Sequence, residues 1–156
     1  MINKQVMESF LSQKSLALAG VSRSGKKFGN AILKELSQQG YKLFLIHPEV
    51  DEIDGNKCYA SLAELPEEVQ SLIVVVPPEQ TEILVQDIPA SGIQRVWMQQ
   101  GSASPTAISY CEENDISLIH GECVLMYAQP QGLHKFHHWL WGVLGKGPKH
   151  SNSHGV

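Results

Sequence analysis

A chain of 156 residues, 42% hydrophobic and 18% charged, has the length and composition of one globular domain able to bury its own core. Its net charge of −4 argues against a general nucleic-acid binder, which would carry a basic surface excess. Cys58, Cys111 and Cys123 form no C-x-x-C pair, and no apolar run approaches the roughly 18 residues of a membrane span, so disulfide, zinc-knuckle and membrane classes recede.

Residues 1–13 lack the basic start, apolar stretch and small-residue cleavage site of a signal peptide, and a cytoplasmic protein with reduced thiols is expected. A lead-in helix at 6–11 precedes a first strand at 16–20. The loop Gly20-Val21-Ser22-Arg23-Ser24-Gly25-Lys26-Lys27-Phe28-Gly29 follows, then a helix over 30–39 that Gly40 ends as a C-cap. The second strand, 41–46, closes at His47-Pro48. Residues 51–56 read as a turn and Lys57-Cys58-Tyr59 as a short extended piece. Ser61-Leu62-Ala63-Glu64 has the capping-box pattern of a short helix.

Leu72-Ile73-Val74-Val75-Val76 is a continuous apolar run, as in a strand covered on both faces, and Pro77-Pro78 stops it. A helix over 79–88 should turn Ile83, Leu84 and Ile88 to the sheet. A fourth strand at 94–98, a helix from Ser104-Pro105 to about 114 and a fifth strand at 116–119 complete the pattern. Five strands alternating with helices predict an α/β fold, a doubly wound parallel five-stranded sheet. A last helix at about 133–144 carries the stripe Leu133, Phe136, Leu140, Trp141, Leu144, and 145–156 has the composition of a disordered tail. One domain is expected over 1–144.

A strand, a small-residue loop and a helix in that order make a phosphate cradle. Ser22 adds a hydroxyl, and Arg23, Lys26 and Lys27 add three positive charges. In an open α/β sheet the ligand lies beyond the carboxyl ends of the strands. His47 and Pro48, Val76 with Pro77 and Pro78, Gln100 and Gly101, and 121–123 should therefore converge on the loop.

A nicotinamide dinucleotide fits less well. The fingerprint G-x-G-x-x-G has Ser22 at its second glycine, and strand two ends in His47-Pro48 rather than an acidic residue. His134, His137 and His138 share a helix face, but no nearby Cys, Asp or Glu completes a metal set, and none is assigned. No nucleophile–base pair or carboxylate pair stands at the strand ends, so no catalytic residue is assigned either. Trp97, Cys58 and Cys111 are expected to be packing residues. Cys123 should lie near the ligand end of strand five as a buried structural thiol.

At these positions the chain resembles the coenzyme A-binding protein family of small single-domain Rossmann proteins. It is similar, more distantly, to the N-terminal domain of the succinyl-CoA synthetase alpha subunit. The matching pieces are Gly20-Val21-Ser22 with Gly29-Asn30, and His47-Pro48 through Glu52-Ile53-Asp54-Gly55. Tyr59-Ala60-Ser61-Leu62, Val75-Val76-Pro77-Pro78, Val96-Trp97-Met98-Gln99-Gln100-Gly101 and Cys123 continue the series. His47 and Glu49 stand where that family has Asn and often Lys.

The resemblance implies coenzyme A or an acyl-CoA as ligand, with Gly20, Val21, Ser22 and Arg23 on the pyrophosphate. Pro48 would wall the adenosine, and Pro77-Pro78 would flank the nucleotide or pantetheine. It also implies a carrier, sensor or regulator without its own catalysis. The other readings are an NAD(H)-dependent oxidoreductase or redox sensor, and an interaction module with a structural loop. The last would use the C-terminal helix, through which a homodimer is conceivable; neither nucleic acid nor membrane is expected as partner.

Overall fold

A computed structural model of the chain describes residues 4–128. Its centre is β1 (Ser15–Ala19), whose side chains alternate between two cores as the period of a strand requires. Leu16 and Leu18 pack under α1 (Lys4–Leu11) and α2 (Phe28–Gln38), whereas Ala17 and Ala19 face the opposite layer. That second layer holds α3 (Pro78–Leu84), a 3-10 helix Val85–Ala90 and α4 (Pro105–Glu113). The remaining strands are β2 (Lys42–Ile46), β3 (Glu52–Ile53), β4 (Asn56–Tyr59), β5 (Ser71–Val74), β6 (Arg95–Met98) and β7 (Ser117–His120). A short α5 (Leu125–Ala128) follows.

The sheet order is β3-β4-β2-β1-β5-β6-β7. The doubly wound α/β class is as expected, and the five expected strands are all present and parallel to their neighbours. The strand count is not: seven strands form among the described residues, not five. Residues 52–59 are a hairpin, which joins the expected turn at 51–56 to the expected extended piece at 57–59. Asp54 (φ 52°) and Gly55 (φ 79°) both lie in the left-handed region, the requirement of a two-residue turn whose twist matches its strands. β4 then adds to β2 in parallel, and β3 becomes the edge.

Helix α2 buries Ile32, Leu33 and Leu36, and Gly40 (φ 94°) ends it as a C-cap glycine should. Ser61 leads only into the 3-10 turn Leu62–Glu64, with no side-chain cap. Ile83 does not face the sheet; it is 68% exposed. The reason is Thr81, whose hydroxyl donates to the Pro77 carbonyl at 3.3 Å and is thereby buried without loss. Thr81, Val85 and Ile88 take the inner face, which turns Ile83 outward.

Trp97 is fully buried, edge-on to Phe10 with ring centroids 5.4 Å apart, and its indole N–H donates to the Glu122 carbonyl at 3.0 Å. Cys58 and Cys111 are buried packing residues, also as expected. No described helix is long and apolar enough to cross a membrane. The helix expected at 133–144, the tail 145–156 and the histidines at 134, 137 and 138 lie outside the described residues.

Candidate functional site

β1 leads to β2 on one side, and the chain then returns past β1 to build β5 on the other. The crevice of a doubly wound sheet therefore opens above the ends of β1 and β5, where loops 20–27 and 75–77 meet. Two glycines permit the meeting. A Cβ on Gly20 (φ 121°) would lie 2.8 Å from the Val75 carbonyl carbon, and one on Gly29 would lie 2.7 Å from that of Gly20. Loop, strand end and helix touch backbone to backbone, as a phosphate cradle needs.

Asn30, buried in the first turn of α2, holds this loop in shape. Its Oδ1 accepts from the Ser22 N–H at 3.1 Å, the Ser22 hydroxyl at 3.2 Å and the Lys27 N–H at 3.3 Å. Its Nδ2 donates to the Ser22 carbonyl at 2.9 Å. The Ser22 and Ser24 hydroxyls lie 2.9 Å apart, and Ser24 accepts from the Lys26 N–H at 3.3 Å. The N–H groups of Val21 and Arg23 have no acceptor among the described residues, and Arg23, Lys26 and Lys27 have no ion pair among them. Donors and positive charge thus remain for an anion. Asn30 is the residue that reading for charge and glycine passes over. Its signal is a short amide on the buried side of a helix start.

A groove of about 700 Å³ runs from the cradle toward β2. Of the expected site residues it brings together Gly20, Val21, Ser22, Lys27, His47, Pro48, Val76 and Pro77. Ile46, Gln80, Ile83 and Leu84 add walls, and Glu49 and Asp87 add two carboxylates. His47 Nδ1 accepts from the Glu49 N–H at 3.1 Å, so the imidazole does for this turn what an asparagine oxygen does in an Asx turn. That bond needs an unprotonated Nδ1.

On the other side of Val75, Val76 and Pro77, which border both spaces, a second groove of about 410 Å³ runs toward β6 and β7. It gathers Pro78, Gln100 and Gly101 with Phe28, Gln99, Ser102 and Cys123. Gln99 is buried, and its Oε1 accepts from the Val124 N–H at 2.7 Å, pinning the start of α5 to the end of β6. Gln100 donates to the Gly121 carbonyl at 3.3 Å. Burial pushes the Cys123 thiol up, against an opposing hydrogen bond from Gln99, so the sulfur here is a packing atom in its protonated form. Two expected residues are elsewhere. Lys26 sits with Lys34 and Asn56 in a separate hollow beside α2, which Lys27 also borders, and Arg23 lines none of the three spaces. Among the described residues no three His, Cys, Asp or Glu side chains gather as a metal set.

The model of the CoA binding domain matches residues 14–129, which take in the cradle and both grooves. The chain belongs to the CoA binding domain family. An ADP-forming acetate–CoA ligase II of Archaeoglobus fulgidus is 29% identical over 133 residues, 84% of this chain but 19% of that one. An ADP-forming acetate–CoA ligase of Methanocaldococcus jannaschii is 39% identical over 64 residues, 41% of this chain and 9% of that one. The chain thus spans less than a quarter of the length of these curated relatives. A solved structure of a conserved hypothetical protein from Pyrococcus furiosus is similar over nearly its whole length. It covers 72% of this chain and 97% of its own, at 33% identity and a TM-score of 0.69.

Proposed function

We propose that the chain binds CoA or an acyl-CoA across the two grooves and acts as a carrier, sensor or regulator. The pyrophosphate lies at Gly20, Val21 and Ser22 beside Lys27, the adenosine in the groove walled by Ile46, Pro48 and Ile83, and the pantetheine in the groove of Val75, Pro77 and Gln100. The observation that carries this reading is the junction at Val75–Pro77. Two grooves of different lining share Val75, Val76 and Pro77, the segment that packs against the cradle at Gly20, an arrangement that suits a nucleotide joined to an extended arm through a pyrophosphate. Sizes of about 410 and 700 Å³ suit the two halves.

A thermal-shift titration tests it. CoA at a hundred times its dissociation constant stabilises the native state by about 2.7 kcal/mol, a rise in Tm of roughly 5–10 °C. Ser22→Glu, which sets a carboxylate in the cradle, should remove that shift at a cost of roughly 2–6 °C in unliganded Tm, since the hydroxyl's bonds to Asn30 and Ser24 are lost while the side chain stays partly exposed. A shift with NADH and none with CoA would refute the assignment.

A further inference from the structure

We infer that the adenosine end of the first groove selects a ribose with free hydroxyls, so that dephospho-CoA binds in preference to CoA. This rests on the CoA reading and names the form of ligand the same site takes. The charged and titratable groups lining the groove are Lys27 from the cradle, His47 and Glu49 from the loop after β2, and Asp87 from the 3-10 helix after α3. Lys27 belongs to the loop that holds the pyrophosphate. What remains for the adenosine end is the His47 imidazole, whose Nδ1 is taken by the Glu49 N–H, and two carboxylates from two separate elements, with no cation in an ion pair with either among the described residues.

Such an end is a poor place for a 3′-phosphate dianion and a good one for hydroxyls. A carboxylate is acceptor-only when ionised, and a ribose diol offers two donors. The pyrophosphate meets the opposite chemistry, with Lys27, the Ser22 hydroxyl and the Val21 and Arg23 N–H groups of the loop, so the lysine belongs to the cradle while both carboxylates come from outside it. For a dianion held about 6 Å from one uncompensated carboxylate in water-like surroundings, the repulsion weakens binding roughly tenfold at low salt. Glu49 is exposed, its carboxylate makes no hydrogen bond or ion pair among the described residues, and its backbone N–H serves the turn whatever side chain it carries. It is therefore a specificity residue that can be changed without disturbing the fold.

Isothermal titration of the wild type, Glu49→Lys and Asp87→Asn with CoA and dephospho-CoA at low salt tests the inference. The expected result is roughly tenfold tighter binding of dephospho-CoA by the wild type, a preference reversed in Glu49→Lys and reduced in Asp87→Asn. Wild-type binding of CoA as tight as or tighter than dephospho-CoA overturns the inference and leaves the CoA reading standing. A dephospho-CoA preference that Glu49→Lys leaves unchanged overturns it too, by removing the carboxylates as its cause. Binding of neither ligand overturns the CoA reading, and the inference with it.

Discussion

Gly29→Ala sets two effects of known sign against each other. Gly29 lies inside α2, and its φ is outside the left-handed region, so an alanine there would ordinarily stabilise the helix by about 0.5–1 kcal/mol. The added Cβ, however, would lie 2.7 Å from the Gly20 carbonyl carbon and 3.2 Å from the Val21 nitrogen, both backbone atoms that cannot rotate away. Relief demands that α2 or the cradle shift by several tenths of an ångström, and overpacking of this kind costs about 1–3 kcal/mol. The balance is a net loss of about 1–2 kcal/mol, a fall in Tm of roughly 2–8 °C. Ligand affinity should fall further than stability, because the atoms displaced belong to the loop proposed to hold the phosphates. Gly92→Ala is the control. Its Cβ would meet only the Val69 carbonyl oxygen at 3.8 Å, an ordinary contact, and its Tm should stay level or rise. Chemical denaturation with both variants, followed by ligand titration of each, decides the matter. An unchanged or raised stability in Gly29→Ala would refute the claim that the cradle and α2 are locked backbone to backbone.

Asn30→Ala removes four hydrogen bonds from the base of the loop and should cost about 2–3 kcal/mol, less than four full bonds because water reaches Ser22; urea denaturation checks it, and a cost below about 0.5 kcal/mol would show that the loop holds itself. Alkaline pH should destabilise the fold through its buried thiols. Cys111 is pushed up to about 11 by burial, so it stays protonated in the native state while the same thiol ionises near 9 when unfolded. The stabilisation is whole below pH 9 and is lost as the pH rises toward 11, by about 1 kcal/mol at pH 10, and Cys111→Ala should flatten that stretch of the Tm–pH curve. Cys123 should alkylate slowly with iodoacetamide at pH 7.5 compared with a free thiol, because it is both buried and held protonated; labelling at the free-thiol rate would show an open second groove.

The local parts of this architecture were legible because their signals are local. Gly20, Gly29 and Gly40 punctuate strand, loop and helix, and the run 71–76 needs no partner to be recognised. What was missed depends on distant contacts. β3 and β4 are two and four residues long, too short for a period-2 pattern; Lys57-Cys58-Tyr59 reads as extended, but only the Asp54-Gly55 pair betrays its pairing with β3 in a hairpin. The inner face of α3 was misjudged because Thr81, polar by type, satisfies its hydroxyl on the preceding turn and so takes the core position that Ile83 was expected to fill.

The site divides in the same way, and for a physical reason. Every polar contact that shapes the cradle lies between residues 22 and 30, so this part is written in one stretch of sequence. The grooves are assembled from the ends of β1, β2, β5 and β6 and from α3, and a side chain such as Asp87 reaches the first groove only because a 3-10 helix follows α3. The proposed phosphate-binding element can thus be read from consecutive residues, while the groups proposed to choose between nucleotides are set by packing. That separation lets the two be altered independently. On the proposed reading, Ser22→Glu should act on every phosphorylated ligand alike, whereas Glu49→Lys should act mainly on what distinguishes one ribose from another.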